Sequence, residues 1–244
     1  MGATIGTLLV SSPICADDIA FIANTRAELQ GMLDLVQYNT NRDLVKINAT
    51  KSEIITSAKT KDKDSFIFNG QNIEQTSSTK HLGITRTKFC KVNIEERLQS
   101  GRRTIYAMLG PGLKSMVGLV ALKIWKTYAL PRCIYGMETR TYSKSDMERL
   151  ESYQRKICRQ LQQLPERCAS TAVYALLGME PIETAIDRNM LSLFLGIARL
   201  PDYVEFKIIQ RELFMADTYD HNFICRVKKI LKTGARGADH PPFF

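Results

Sequence analysis

Two adjacent acids, Asp17 and Asp18, sit inside an apolar run that otherwise reads as strand. The flanks, residues 4–10 and 19–23, have the composition of buried strands, from which Asp is depleted. Burying a carboxylate is costly unless it is paired or binds a metal. Successive strand side chains face opposite sides, so the two acids serve one purpose only where a tight turn gathers them. Ser11, Ser12 and Pro13 interrupt the run just before, and Pro presets a turn. The stretch is therefore held to a β-hairpin with the acids at or beside its tip. Two uses remain open. A bare Asp-Asp is more often an ordinary turn pair; the alternative is a ligand pair for a divalent cation such as Mg²⁺, which takes hard oxygens beside substrate phosphates.

Charge narrows the possible partners. Of a net +9 over 244 residues, most lies in residues 91–200, with 17 Lys/Arg against 10 Asp/Glu. Residues 1–90 carry 10 against 9, and 201–244 carry 7 against 6. A localised basic excess suits a polyanion such as nucleic acid, and it equally suits a solvated helical surface. The six cysteines lack a Cys-x-x-Cys pair and only three histidines exist, so spacing indicates no zinc site. Reduced cysteines in an intracellular protein are the simplest account. No apolar run reaches the roughly 20 residues that span a bilayer, so no membrane partner is expected. No address signal marks a nuclear or cytoplasmic location.

Along the chain, Thr25-x-x-Glu28 reads as a capping box opening a helix over 26–40, with Leu29, Met32, Leu33 and Val36 on its apolar face. Short strands are predicted over 44–48, 53–57, 65–69 and 80–85. The polar stretch 59–64 and the Asn69-Gly70 turn separate three of them, the second marking a hairpin. Helical stripes follow: Ile94, Leu98, Ile105 and Leu109, stopped by Gly110-Pro111-Gly112; then Val117, Val120, Ile124 and Tyr128, stopped before Pro131. Ser145-x-x-Glu148 reads as the cap of a third, carrying Met147, Leu150, Ile157, Leu161 and Leu164. Pro181 starts a fourth with Ile182, Ile186, Leu193 and Ile197. These faces and Trp125 are read as core. A weaker helical tail follows Pro201, with residues 234–244 as a frayed end.

The order of short motifs adds what no single one supplies. Ala16-Asp17-Asp18 precedes a helix, then Asn48-x-x-Lys51-Ser52, then His81-Leu82-Gly83-Ile84. Next come Arg97-Leu98-x-x-Gly101-Arg102-Arg103-Thr104-Ile105-Tyr106, Leu130-Pro131-Arg132 and Tyr135-Gly136. Over roughly residues 4–200 this succession resembles the C-terminal palm and thumb portion of the reverse transcriptase of a non-LTR (LINE-like) retrotransposon. The resemblance implies an α+β fold: a small antiparallel palm-like sheet with one helix over 1–90, a mostly α-helical thumb-like region over 91–200, and a helical tail over 201–244.

It also implies roles. Asp17 and Asp18 become the metal ligands, with Mg²⁺ as cofactor and Asp17 the more direct of the two. Lys51 falls near the phosphates of the incoming nucleotide, where it would neutralise the departing diphosphate. Leu82 and Gly83 belong to the element gripping the primer end, with backbone geometry the expected use of Gly83. Arg102 and Arg103 would hold backbone phosphates of an RNA template–DNA primer duplex, which positions without reading sequence. Cys15 stands where the family usually has an aromatic, a departure compatible with metal binding.

The family's two-metal site takes a further carboxylate from an upstream palm strand, and none of the sixteen residues before Asp17 is acidic. The expected function is thus a fragment of an RNA-directed DNA polymerase, inactive alone in nucleotidyl transfer and completed by an upstream segment with the fingers. A nucleic-acid-binding module and a non-catalytic helical interaction or relic protein are the alternatives.

Overall fold

The computed structural model describes residues 1–56, 65–87, 94–110, 118–215 and 222–237. The chain is mixed helix and sheet and divides into two compact units, Met1–Val92 and Asn93–Phe244. The predicted polar stretch 59–64, Pro111, Gly112 and Val117 lie outside the described residues.

In the first unit, β1 (Ala3–Ile5) and β2 (Leu8–Val10) form an antiparallel hairpin, as do β3 (Ile14–Cys15) and β4 (Asp18–Ile19). Ser11 and Pro13 extend the second ladder, their carbonyls accepting from the amides of Ile22 (2.8 Å) and Ala20 (3.0 Å). Residues 11–13 interrupt the strand between β2 and β3, as the Ser-Ser-Pro signal predicts, while the Pro13 carbonyl still pairs because Pro lacks only the donor.

Helix α1 (Arg26–Arg42) follows, with the Thr25 hydroxyl accepting from the Glu28 amide at 3.2 Å. The Glu28 carboxylate accepts from the amides of Gly2 (2.6 Å) and Asn24 (3.1 Å), and the Thr25 amide adds a weaker contribution in the sense of the predicted capping box. A Schellman closure ends α1: the Leu44 amide donates to Asn41 and the Val45 amide to Thr40. Leu44 takes the left-handed conformation at φ 57°. That closure replaces the strand predicted over 44–48.

Among the described residues four small sheets stand in place of the single antiparallel palm-like sheet expected, and one strand pair is parallel. β5 (Glu53–Ile54), β6 (Phe66–Phe68) and β7 (Gln71–Gln75) are ordered β5-β7-β6, with β5 parallel to β7. The predicted Asn69-Gly70 turn joins β6 to β7, both residues at positive φ as a type I′ turn requires. Leu33 of α1 packs on Ala49, Phe66, Phe68 and Ile73 to make this unit's core. The Gln30 amide clamps the backbone of Ile67 from both sides, at 2.8 and 3.1 Å. The predicted strand 80–85 is instead a hairpin, β8 (Ser78–His81) and β9 (Ile84–Thr87), turning at Leu82-Gly83.

The second unit is helical: α2 (Ile94–Leu109), α3 (Gly118–Ile124), α4 (Leu130–Ile134), α5 (Lys144–Leu161), α6 (Ser170–Leu177), α7 (Ile182–Ala198), α8 (Val204–Met215) and α9 (Phe223–Gly237). Ile94, Leu98 and Ile105 of α2 are buried, as are Met147, Leu150, Ile157 and Leu161 of α5. The second stripe is corrected. Val120 and Tyr128 are exposed, and Ala121, Leu122, Trp125 and Ala129 are buried instead. A π turn over Trp125–Ala129 links α3 to α4, the Leu130 amide donating to the Trp125 carbonyl. Pro131 then sits in the first turn of α4, where its missing N–H and its ring are tolerated, so the chain is re-registered rather than stopped.

The cap of α5 is Ser143, whose hydroxyl accepts from the Asp146 amide at 3.1 Å, two residues ahead of the predicted one. The tail after Pro201 packs on α7. Ile209 and Ile224 are buried against Phe194 and Ile197 of α7, and Arg226 bonds Asp187 and Glu183. Helix α9 continues to Gly237, past the predicted start of fraying.

Candidate functional site

Asp17 lies in the turn of the β3–β4 hairpin and Asp18 opens β4, paired with Cys15 across the ladder. Only Asp18 is thus a ladder residue, so strand alternation does not by itself set Asp17 against it. Ala16 occupies the first turn position with φ 54°, a conformation normally left to glycine and costing roughly 1–2 kcal/mol in an alanine. Both acids are exposed, and so are Ile14 (65%) and Ile19 (39%). This corrects the expectation of a buried strand. The apolar flanks are short of cover and the carboxylates keep their hydration, so no burial penalty compels either acid to bind a cation.

Hard carboxylate oxygens are what Mg²⁺ takes, commonly one or two such groups completed by water and phosphate. Asp17 and Asp18 fit as two members of such a set. Among the described residues no group of three or more His, Cys, Asp or Glu side chains could hold a metal ion.

Lys51 is exposed at the end of the 3₁₀ turn Ala49–Lys51. Asn48 caps that turn, its Oδ1 accepting from the Thr50 amide (3.0 Å) and hydroxyl (2.7 Å), while the Ser52 hydroxyl donates to the Asn48 carbonyl at 3.1 Å. Asn48 and Ser52 therefore have local backbone work, which leaves Lys51 as the motif's chemically disposable side chain. Leu82 (φ 50°) and Gly83 (φ 72°) form the β8–β9 turn, which places a half-exposed leucine at a hairpin tip.

In the helical unit the separated motifs meet between α2 and α4. The Arg132 guanidinium donates to the Thr104 hydroxyl at 3.2 Å, and Arg97 stands 5.5 Å from the centre of the Tyr135 ring. Gly101 lies against Cys133 and Tyr153. These residues build the unit, whereas Arg102 and Arg103 beside them are exposed. Arg102 stands 5.8 Å from the centre of the Tyr153 ring. Burial, with a smaller push from Cys133, raises the Tyr153 hydroxyl well above the ordinary phenol range, and Arg102 opposes this.

No protein-family model, curated protein or solved structure matches this chain. The site therefore rests on its own geometry.

A cleft of about 530 Å³ opens between α2 and α5, and Arg102 lines it together with Arg149, Lys156 and Arg159. Sequence reasoning singled out Arg102 and passed over the three cations on α5. Their spacing along one edge of the apolar stripe of α5 was the available signal; their meeting with α2 was not visible.

Proposed function

We propose that this chain carries the metal-ligand hairpin and the duplex-holding helices of an RNA-directed DNA polymerase of the non-LTR retrotransposon kind. One observation carries the reading: a two-residue turn, strained at Ala16, presents Asp17 and Asp18 together on an exposed hairpin tip. A non-glycine residue held at positive φ is the kind of local cost that accompanies functional turns. Its support in the sequence is the ordered series from Asn48 to Gly136.

In that role Asp17 and Asp18 hold Mg²⁺, which when bound offsets charge on the attacking and leaving oxygens of a nucleotidyl transfer. Lys51 neutralises diphosphate charge, and the Leu82-Gly83 tip supports the primer end. The set needs a further carboxylate, and among the described residues none joins the pair, so a second polypeptide segment completes it. With Mg²⁺, nucleotides and a primed RNA template, the chain alone is expected to give no extension. Adding a polypeptide that bears the upstream palm and fingers is expected to give extension that Asp17→Ala abolishes. Extension unaffected by Asp17→Ala would overturn the assignment.

A second reading, a nucleic-acid-binding helical unit without catalysis, is favoured by the basic excess of residues 91–200 and by the cation-lined cleft.

A further inference from the structure

The helices that flank the cleft are pinned at both ends. Near their N-termini Arg149 donates to the Glu95 carboxylate at 2.9 Å, and further along the Tyr106 hydroxyl donates to Gln160 Oε1 at 3.3 Å. Each pair is separated by 54 residues, so α2 and α5 run side by side in the same direction and in one register. In that register Arg102 comes level with Lys156. Both line the cleft, and two like charges brought into one cleft are relieved by an anion between them.

The charge inside the cleft is not balanced by the protein. Glu95 is taken by Arg149, which leaves Glu166 as the other acid against Arg102, Lys156 and Arg159. Neither Arg102 nor Lys156 forms an ion pair with an acid among the described residues. Arg159 spends Nη2 on the Cys168 carbonyl (2.9 Å) and the Ser170 hydroxyl (3.2 Å), while its Nε is buried without a hydrogen-bond partner.

We infer that the α2–α5 cleft is a phosphate site, in which a backbone phosphate of double-stranded nucleic acid lies between Arg102 and Lys156 with Arg159 at its inner wall. Guanidinium and ammonium groups lining one cleft suit a tetrahedral oxyanion. Arg103 on α2 and Arg155 on α5 stand next to those cations in sequence and add to the positive charge of the two helices. A duplex uses such added charge, and a free phosphate does not. This deepens the nucleic-acid-binding reading and does not involve Asp17, Asp18 or a metal.

The test is fluorescence anisotropy of a labelled duplex with the full chain in EDTA, across a salt series. Arg102→Ala with Lys156→Ala is expected to raise Kd at least tenfold and to flatten the log–log salt slope by about 2, the share of two phosphate contacts. Arg199→Ala with Lys207→Ala, equal in charge and outside the cleft, is expected to change Kd less than twofold. Lys156→Glu alone, at an exposed position, is expected to weaken binding further than Lys156→Ala, which keeps the test valid if the double variant unfolds. Inorganic phosphate, compared with chloride at equal ionic strength, is expected to displace the duplex only at millimolar levels. Wild-type affinity in the cleft variants, or equal losses in the two double variants, would overturn the site while leaving nucleic-acid binding intact. Absence of any salt-dependent duplex affinity in the wild-type chain, or tight phosphate binding without it, would overturn both.

Discussion

A Cβ placed on Gly101 would stand 3.1 Å from the Cβ of Cys133, and 3.5 Å from both the Cys133 sulfur and the Tyr153 hydroxyl. Helix α2 therefore approaches α4 at a point where the sequence supplies no side chain. Gly101→Val is expected to destabilise the helical unit by about 1–3 kcal/mol through overpacking. Gly101→Ala should stay within about 1 kcal/mol of wild type, because helix propensity offsets the tight contact. Urea denaturation followed by circular dichroism measures both. Equal stability of the valine variant would contradict this packing.

Leu44 offers the opposite case. It is 90% exposed and holds φ 57° in the Schellman closure of α1. Leu44→Gly gives up almost no buried surface and removes a left-handed side-chain clash, so it is expected to stabilise the first unit by about 0.5–1 kcal/mol. Thermal melting decides this, and a lowered midpoint would count against the closure.

Thiol chemistry separates the cysteines. Cys133 and Cys158 are fully buried, and burial pushes both thiols from 9.0 up to about 12, opposed at Cys133 by Arg97. Alkylation at pH 8 read by mass spectrometry is expected to label exposed Cys15 quickly and to spare these two until denaturant is added. Because the folded values lie above the unfolded one, the two thiols contribute stability below pH 9 that is lost as pH rises towards 12.

Glu28 sets an acid limit on the first unit. The amides of Gly2 and then Asn24 hold its carboxyl below the ordinary 4.5. A depressed carboxylate contributes stability above that value and loses it as pH falls through the folded one. Glu28→Gln is expected to flatten the acid limb of a stability–pH curve and to lower stability at pH 7. An unchanged limb would show that the two amides do not depend on this charge.

Arg226 joins α9 to α7. Its side chain is 15% exposed and bonds Asp187 Oδ1 at 2.5 and 2.8 Å. Arg226→Ala is expected to cost about 2 kcal/mol, as for charged hydrogen bonds of limited exposure. Amide hydrogen exchange along α9 should accelerate before that of α5. Uniform exchange would mean that α9 has no local opening of its own.

Much of the local structure was legible because it depends on near neighbours. Thr25, Asn69-Gly70 and the faces of α2, α5 and α7 act through contacts a few residues away, and periodicity reports them. The strand expected over 44–48 failed to form because a leucine accepts the conformation usually left to glycine. The shifted α3 stripe turned on a π turn ahead of Pro131, which hydrophobic spacing does not register.

The candidate site divides along the same line. Sequence alone determined that two acids share a hairpin tip, that Trp125 is core and that the basic excess lies in the helical region. Tertiary structure alone decided that the hairpin flanks are exposed, so that hydration rather than burial governs Asp17 and Asp18. It also decided that Arg102 and Lys156, 54 residues apart, come level across one cleft. Turn geometry is set within four residues, whereas exposure and the meeting of charges depend on how whole helices and strands pack.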